Sequence, residues 1–244
     1  MDVPTEYYVQ AALNFHQQST YGSYPEPTPA DLQRDGGAFE QDAGTQVTLV
    51  PPHPGNAEHL DRILRGRRSR RVRASRLKRY TLTGALCSAM APSADSGLRP
   101  YPSAGGCYAV SAYCYASDVE GLDPGAYRFA PAEGTLVPLE AVPMDESTVR
   151  EIPELLRTTV LRADTVQAVL ILVADMHGIG SRYGERGYRY ALLEAGHLSQ
   201  NLALAFEARA ISHCPLGGFF DDVARHVFAL PDQLHLPLYA MALA

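Results

Sequence analysis

Residues 99–110 read RPYPSAGGCYAV. From Tyr101 to Gly106 the residues are those of an irregular turn: a proline, a serine and two adjacent glycines. From Cys107 to Ala116 the chain turns apolar and aromatic, the pattern of a strand. Paired glycines permit left-handed dihedrals and let another group approach the main chain closely. Such a turn is either an ordinary loop or a cradle for something bound against its backbone. The flanking sequence has to decide.

Downstream, the turn signal Gly121-Leu122-Asp123-Pro124-Gly125 leads into a short strand, AYRF, and Gly134 marks another turn before LVPL. With 107–116 these make an antiparallel meander. Residues 147–162 are predicted helical. TVQAVLILVAD, 165–175, is a continuous β-branched apolar run and the best candidate for a central strand. MHGIGSRYG, 176–184, reads as a loop. The clearest helix runs from Tyr188 to Arg209, with Ala191, Leu192, Ala195, Leu198, Leu202, Ala205 and Phe206 at helical spacing. A short helix from Asp221 and a final strand, LPLYAMALA, complete this half. Upstream, TLTGALCSAM is a short helix ending at Met90, and Asn56 is placed to cap a helix over 57–65. Residues 5–18 are weakly helical. Residues 19–57 carry six prolines and little period, with one possible short strand at Gln46–Val50. The order of elements predicts an α+β fold around one mostly antiparallel sheet flanked by helices. The division is an N-terminal arm, 1–56, and a globular domain, 57–244.

Composition narrows the function classes. The chain has 244 residues, 46% of them hydrophobic, and a net charge of −6. Residues 62–79, RILRGRRSRRVRASRLKR, hold ten basic residues and no acidic one, so the remainder carries 11 basic against 27 acidic, a net of −16. A basic stretch on an acidic body suits a small phosphate ligand better than a long nucleic-acid backbone, which the body would repel. No apolar run reaches the roughly 18 residues of a membrane span. The N-terminus, MDVPTEYYVQ, is acidic and does not read as a secretory signal. Cys87, Cys107, Cys114 and Cys214 lack close metal-ligand spacing and fit buried free thiols in a reducing cytoplasm. His177, His197 and His213 are also not at metal-ligand spacing, and no metal site is expected. Glu194, His197, Gln200 and Asn201 are spaced to share roughly one edge of the long helix.

Six stretches together resemble the nitroreductase-like flavoenzymes, and among them the SagB-type dehydrogenase or azoline oxidase branch. They are NFHQQS (14–19), RRSRR (67–71), RPYPSAGGCYAV (99–110), GLDPGAYRF (121–129), YGERGYRYALLEAGHLSQNLALA (183–205) and CPLGGFFDD (214–222). The resemblance covers the chain from about residue 57 onward, and the arm loosely. It implies the nitroreductase-like fold and an intertwined homodimer with two FMN sites shared between subunits. Pro102, Ser103, Ala104, Gly105 and Gly106 would run along the flavin ring. Arg67, Arg68, Ser69 and Arg71 would hold the ribityl phosphate. Gln200 and Asn201 would approach from the long helix, and Pro215, Leu216, Gly217 and Gly218 would cover another edge.

The implied activity is FMN-dependent oxidation, forming C=N or C=C in a peptide-derived or carrier-bound substrate, such as azoline to azole. Hydride would pass to flavin N5, with reoxidation by oxygen. In the resembling azoline oxidases a lysine–tyrosine pair handles protons. Here the matching region is Arg182-Tyr183, and the whole chain has one lysine, Lys78. Arginine is a poor base, so Tyr183 is expected to move the proton, while Arg182 stabilises developing phenolate or binds an anionic substrate group. An NAD(P)H-dependent nitro or quinone reductase on the same fold, or a non-catalytic scaffold subunit of a biosynthetic complex, are the alternatives. A partner enzyme such as a cyclodehydratase fits the first reading.

Overall fold

The computed structural model describes residues 10, 13–17, 57–139 and 165–244. The predicted helix at 147–162 and strand at Gln46–Val50 lie outside them. Of the helix predicted over 5–18, residues 10 and 13–17 are described and helical.

Helix α1 spans Ala57–Gly66 and α2 spans Arg79–Met90. After the turn come β1 (Val110–Ala116), β2 (Gly125–Ala130), β3 (Thr135–Pro138) and β4 (Ala168–Asp175). Helices α3 (Met176–Tyr183) and α4 (Arg186–Glu207), strand β5 (His213–Leu216), helix α5 (Asp221–Val227) and strand β6 (His235–Leu243) follow. The strands form one six-stranded sheet in the order β3-β2-β1-β4-β6-β5, every neighbouring pair antiparallel. This is the α+β architecture expected from the order of elements.

Alternation of side chains along the strands divides the core between the two faces. Ala112, Cys114, Leu170, Leu172, Met241 and Leu243 point to one side, where they pack with Leu82, Leu86 and Met90 of α2 and with Ala191, Leu198, Leu202 and Phe206 of α4. Tyr113, Tyr115, Val169, Ile171, Ala240 and Ala242 point to the other, against Phe219, Ala224, Val227 and Phe228. Burial on both faces explains why β4 reads as an unbroken apolar run. Burial also pushes the Cys114 thiol up to about 12, so it packs as an inert apolar group.

Two sequence expectations need correction. Residues 176–183 are the helix α3, not a loop. Asp175 caps it, its carboxylate accepting from His177 N at 2.9 Å. Gly178 and Gly180 lower helix propensity, but Met176, Ile179 and Gly180 are buried. The neighbouring helix comes so close that a Cβ on Gly187 would sit 2.9 Å from the Ile179 carbonyl oxygen. Packing overrides propensity here. Strand β1 begins at Val110 rather than Cys107, because the turn keeps the chain irregular through Tyr108, at φ 47°. HCPL, 213–216, pairs with the end of β6 as the edge strand β5, where proline is tolerated.

Candidate active site

The buried carboxylate of Glu194 organises the PSAGG turn. Glu194 lies on α4 and is 1% exposed. Ser103 Oγ donates to its Oε2 at 2.5 Å, and Val110 N donates to its Oε1 at 2.9 Å. Ser103 Oγ in turn accepts from Tyr108 N at 2.8 Å. One carboxylate therefore ties the start of the turn to the start of β1. Gly105 and Gly106 adopt φ 57° and 65°, conformations that disfavour any residue with a Cβ. A Cβ at Gly105 would also collide with the Tyr183 hydroxyl. Below the turn, Tyr101 and Tyr108 meet edge to face at 5.6 Å, with Arg99 over the Tyr108 ring.

Arg182 and Tyr183, at the end of α3, lie against this turn. Arg182 Nη1 donates to the Gly105 carbonyl at 3.1 Å and approaches Cys107 Sγ at 3.6 Å. Its guanidinium carbon lies 5.6 Å from the centre of the Tyr183 ring, which meets Tyr190 edge to face at 5.1 Å. Two stretches 77 residues apart in sequence are thus brought together.

An open cavity of about 600 Å³ lies between α4, the segment after α1, β5 and β6. Arg67 and Ser69 stand on one wall. Ala195, Gly196, Ser199 and Ala203 give a smooth helical wall with Gln200 beside them, and Pro215, Leu238 and Tyr239 close the rest. The size lies within the roughly 300–1,000 Å³ typical of cofactor and small-molecule sites.

The structure sorts the arginines that the sequence offers together. Arg67 lines the cavity and makes no side-chain ion pair among the described residues. Arg68 folds back on the chain, donating to the Arg65 and Arg67 carbonyls at 2.9 and 2.8 Å. Arg70 pairs with Glu207, which holds the Glu207 carboxyl below its ordinary range, and its main-chain N donates to the His213 carbonyl at 2.8 Å. Arg73 and Arg76 both pair with Asp118. Arg71 is exposed and outside the cavity wall. Arg67 and Ser69 are the phosphate-type donors left facing the cavity, a planar fork beside a hydroxyl.

The other expected residues divide as well. Gln200 lines the cavity, whereas Asn201 Nδ2 donates to the Pro100 carbonyl at 2.7 Å and holds the approach to the turn. Glu194, Gln200 and Asn201 do not share an edge: one is buried, one faces the cavity, one braces a loop. Pro215 lines the cavity, Leu216 packs into the opposite face of the sheet, and Gly217 and Gly218 follow it. Pro102, Ser103, Ala104, Gly105 and Gly106 are not part of the cavity wall formed by the described residues of one chain. From the arm, His16 reaches the domain: Nδ1 lies 3.2 Å from the Tyr188 hydroxyl and Nε2 3.2 Å from Asp221. Sequence reasoning passed over Glu194 as a site residue. The one available signal was an acidic residue beside Ala191, Ala195 and Leu198, on the apolar side of a helix.

The sheet and its flanking helices are those of the nitroreductase fold. Residues 64–244 match the nitroreductase family, and the chain belongs to it. It is 28% identical over 174 residues to MJ1384 of Methanocaldococcus jannaschii, named as a nitroreductase; the match spans 71% of this chain and 85% of the other. Its fold is similar to a chain of the Escherichia coli microcin synthetase McbBCD complex with truncated pro-MccB17 bound. There the TM-score is 0.73 and identity 17%, covering 100% of this chain and 97% of that one. It is also similar to a protein of Staphylococcus epidermidis named as an NAD(P)H:FMN oxidoreductase. That match has a TM-score of 0.55 and 12% identity over 82% of this chain and 89% of that one. Among the described residues no helix is long and apolar enough to cross a membrane.

Proposed function

We propose that the protein is an FMN-dependent oxidase of the SagB type, acting as a homodimer on an azoline-like ring in a peptide-derived or carrier-bound substrate. The observation that carries the reading is the pairing of a phosphate-type donor set, Arg67 and Ser69, with a cavity of cofactor size lined by small residues of α4. These residues suit FMN: the fork and hydroxyl take the phosphate, Gln200 offers an amide to a planar heterocycle, and Ala195 and Gly196 leave room for one. When bound, FMN supplies the hydride acceptor and is reoxidised by oxygen. Arg182 and Tyr183 hold the proton-handling position against the turn.

What one chain leaves open supports the dimer in this reading. The PSAGG turn and the Arg182–Tyr183 pair lie outside that chain's cavity wall. Leu60 and Leu64 on α1 and Leu192 and Leu193 on α4 are 41–54% exposed, and Leu192 lines the cavity. A second copy seated on these leucines buries them and brings its own turn to the open side. The full-length match to a chain of the microcin synthetase complex supports a substrate delivered by a biosynthetic partner. Light scattering is expected to give a mass near twice 26.5 kDa. A stable monomer with full FMN content would contradict the shared site.

The fit to FMN is tested by uptake. Apoprotein should bind one FMN per chain. Arg67→Ala should weaken binding by about 1.5–3 kcal/mol, the range for a charged hydrogen bond. Arg68→Ala, whose guanidinium already serves its own backbone, should change affinity much less. Equal losses in both variants, or none in Arg67→Ala, would reassign the phosphate site.

A further inference from the structure

At the opposite end of β6 from Leu243, three metal-ligating side chains meet that the cavity does not use. His177 belongs to the first turn of α3, Asp232 to the loop after α5, and His235 opens β6 opposite Asp175. His177 Nε2 lies 2.7 Å from Asp232 Oδ2, and His235 Nδ1 lies 2.9 Å from Oδ1. The ligand atoms of all three lie within 4.8 Å of one another. The surrounding main chain fixes their bases. Leu234 N donates to Asp232 Oδ1 at 2.9 Å, and Met176 N donates to the Leu234 carbonyl at 2.9 Å. Arg225 directs its charge at main-chain carbonyls, donating to His235 O at 2.7 Å and to Asp232 O, not at the ligand atoms.

We propose that His177, Asp232 and His235 form a binding site for a divalent transition metal, with zinc the best match. Two imidazole nitrogens and one carboxylate oxygen are a donor set that suits zinc, whereas magnesium and calcium prefer oxygen alone. Ligand atoms on a tetrahedral zinc stand about 3.3 Å apart, given bonds of about 2.0–2.1 Å. The two His–Asp contacts at 2.7 and 2.9 Å would therefore open by about 0.5 Å, while the widest separation, at most 4.8 Å, would close by up to about 1.5 Å. His177 can supply that movement, since its side chain is 52% exposed and, among the described residues, its ring hydrogen-bonds Asp232 and otherwise meets the His235 ring. Leu234 N–H fixes one Asp232 carboxylate oxygen in the manner of an outer-shell support. Water completes the coordination. The metal would clamp α3, whose far end carries Arg182 and Tyr183, to β6, whose Leu238 and Tyr239 line the cavity. Its role is a brace.

The test uses the untagged full chain, stripped with a chelator and titrated with zinc alone by calorimetry. One site per chain is expected, weakened about 30-fold or more in His177→Gln and in Asp232→Asn. Cobalt loading should give the intense visible bands of a four-coordinate site, lost in both variants. His177 is exposed, so His177→Gln should keep the parent's circular dichroism and FMN content. A parent that binds neither metal overturns the proposal, as do variants that bind zinc as tightly as the parent.

Discussion

Replacing Tyr183 by phenylalanine is expected to leave FMN bound and to slow substrate-dependent bleaching of the flavin by about 100-fold or more, the usual contribution of a positioned proton-transfer group. Phenylalanine keeps the ring that packs on Tyr190 at 5.1 Å and removes the oxygen lying over Gly105. Arg182 is pinned to the Gly105 carbonyl and lies 5.6 Å from that ring, where its charge favours negative charge developing on the phenol oxygen. Arginine cannot accept the proton itself. Arg182→Lys is therefore an informative companion, because it introduces a titratable amine at the position where the resembling oxidases carry lysine. Stopped-flow bleaching and FMN content read the two effects separately. A Tyr183→Phe enzyme that bleaches at the parent rate would leave Tyr183 as packing for the turn.

Glu194→Ala should cost about 2–4 kcal/mol of folding stability, because it strips partners from two groups at once. Val110 N is buried, and the Ser103 hydroxyl keeps only its bond from Tyr108 N once the carboxylate is gone. Glu194→Gln retains an acceptor for one of them and should recover about half of the loss. Urea midpoints with an unchanged slope would report this as a stability change. The same substitution releases the turn from α4, so FMN affinity should fall alongside stability. Loss of less than about 0.5 kcal/mol in Glu194→Ala would mean that the turn holds its shape without the carboxylate.

The sheet was largely legible because its strands are either unbroken apolar runs, as at 168–175, or alternate between Gly- and Pro-marked turns, as at 125–138. The long helix was legible within two residues at each end, since its apolar face repeats for six turns. Helix α3 was not, because Gly178, Gly180 and Gly184 read as loop residues in a single sequence, while the close packing of Gly187 of α4 on Ile179 that holds the helix is not visible there. The site divides similarly. The turn and the arginine run announce themselves by composition, but which arginine faces the cavity depends on Glu207 and Asp118, acids 39 residues or more beyond that run. The histidines of the Asp232 cluster are 58 residues apart and meet only because β4 and β6 are neighbours in the sheet. Spacing along the chain could not bring them together.

The central claim, oxidation of an azoline-like ring, is tested most directly by anaerobic mixing of the FMN-loaded dimer with thiazoline- or oxazoline-containing peptides. The account predicts that the yellow colour bleaches with peptide alone, without NADH or NADPH, and returns on admitting oxygen with one azole formed per flavin. Bleaching only by NADH or NADPH, with the peptide recovered unchanged, would contradict it and make the protein a reductase on the same fold.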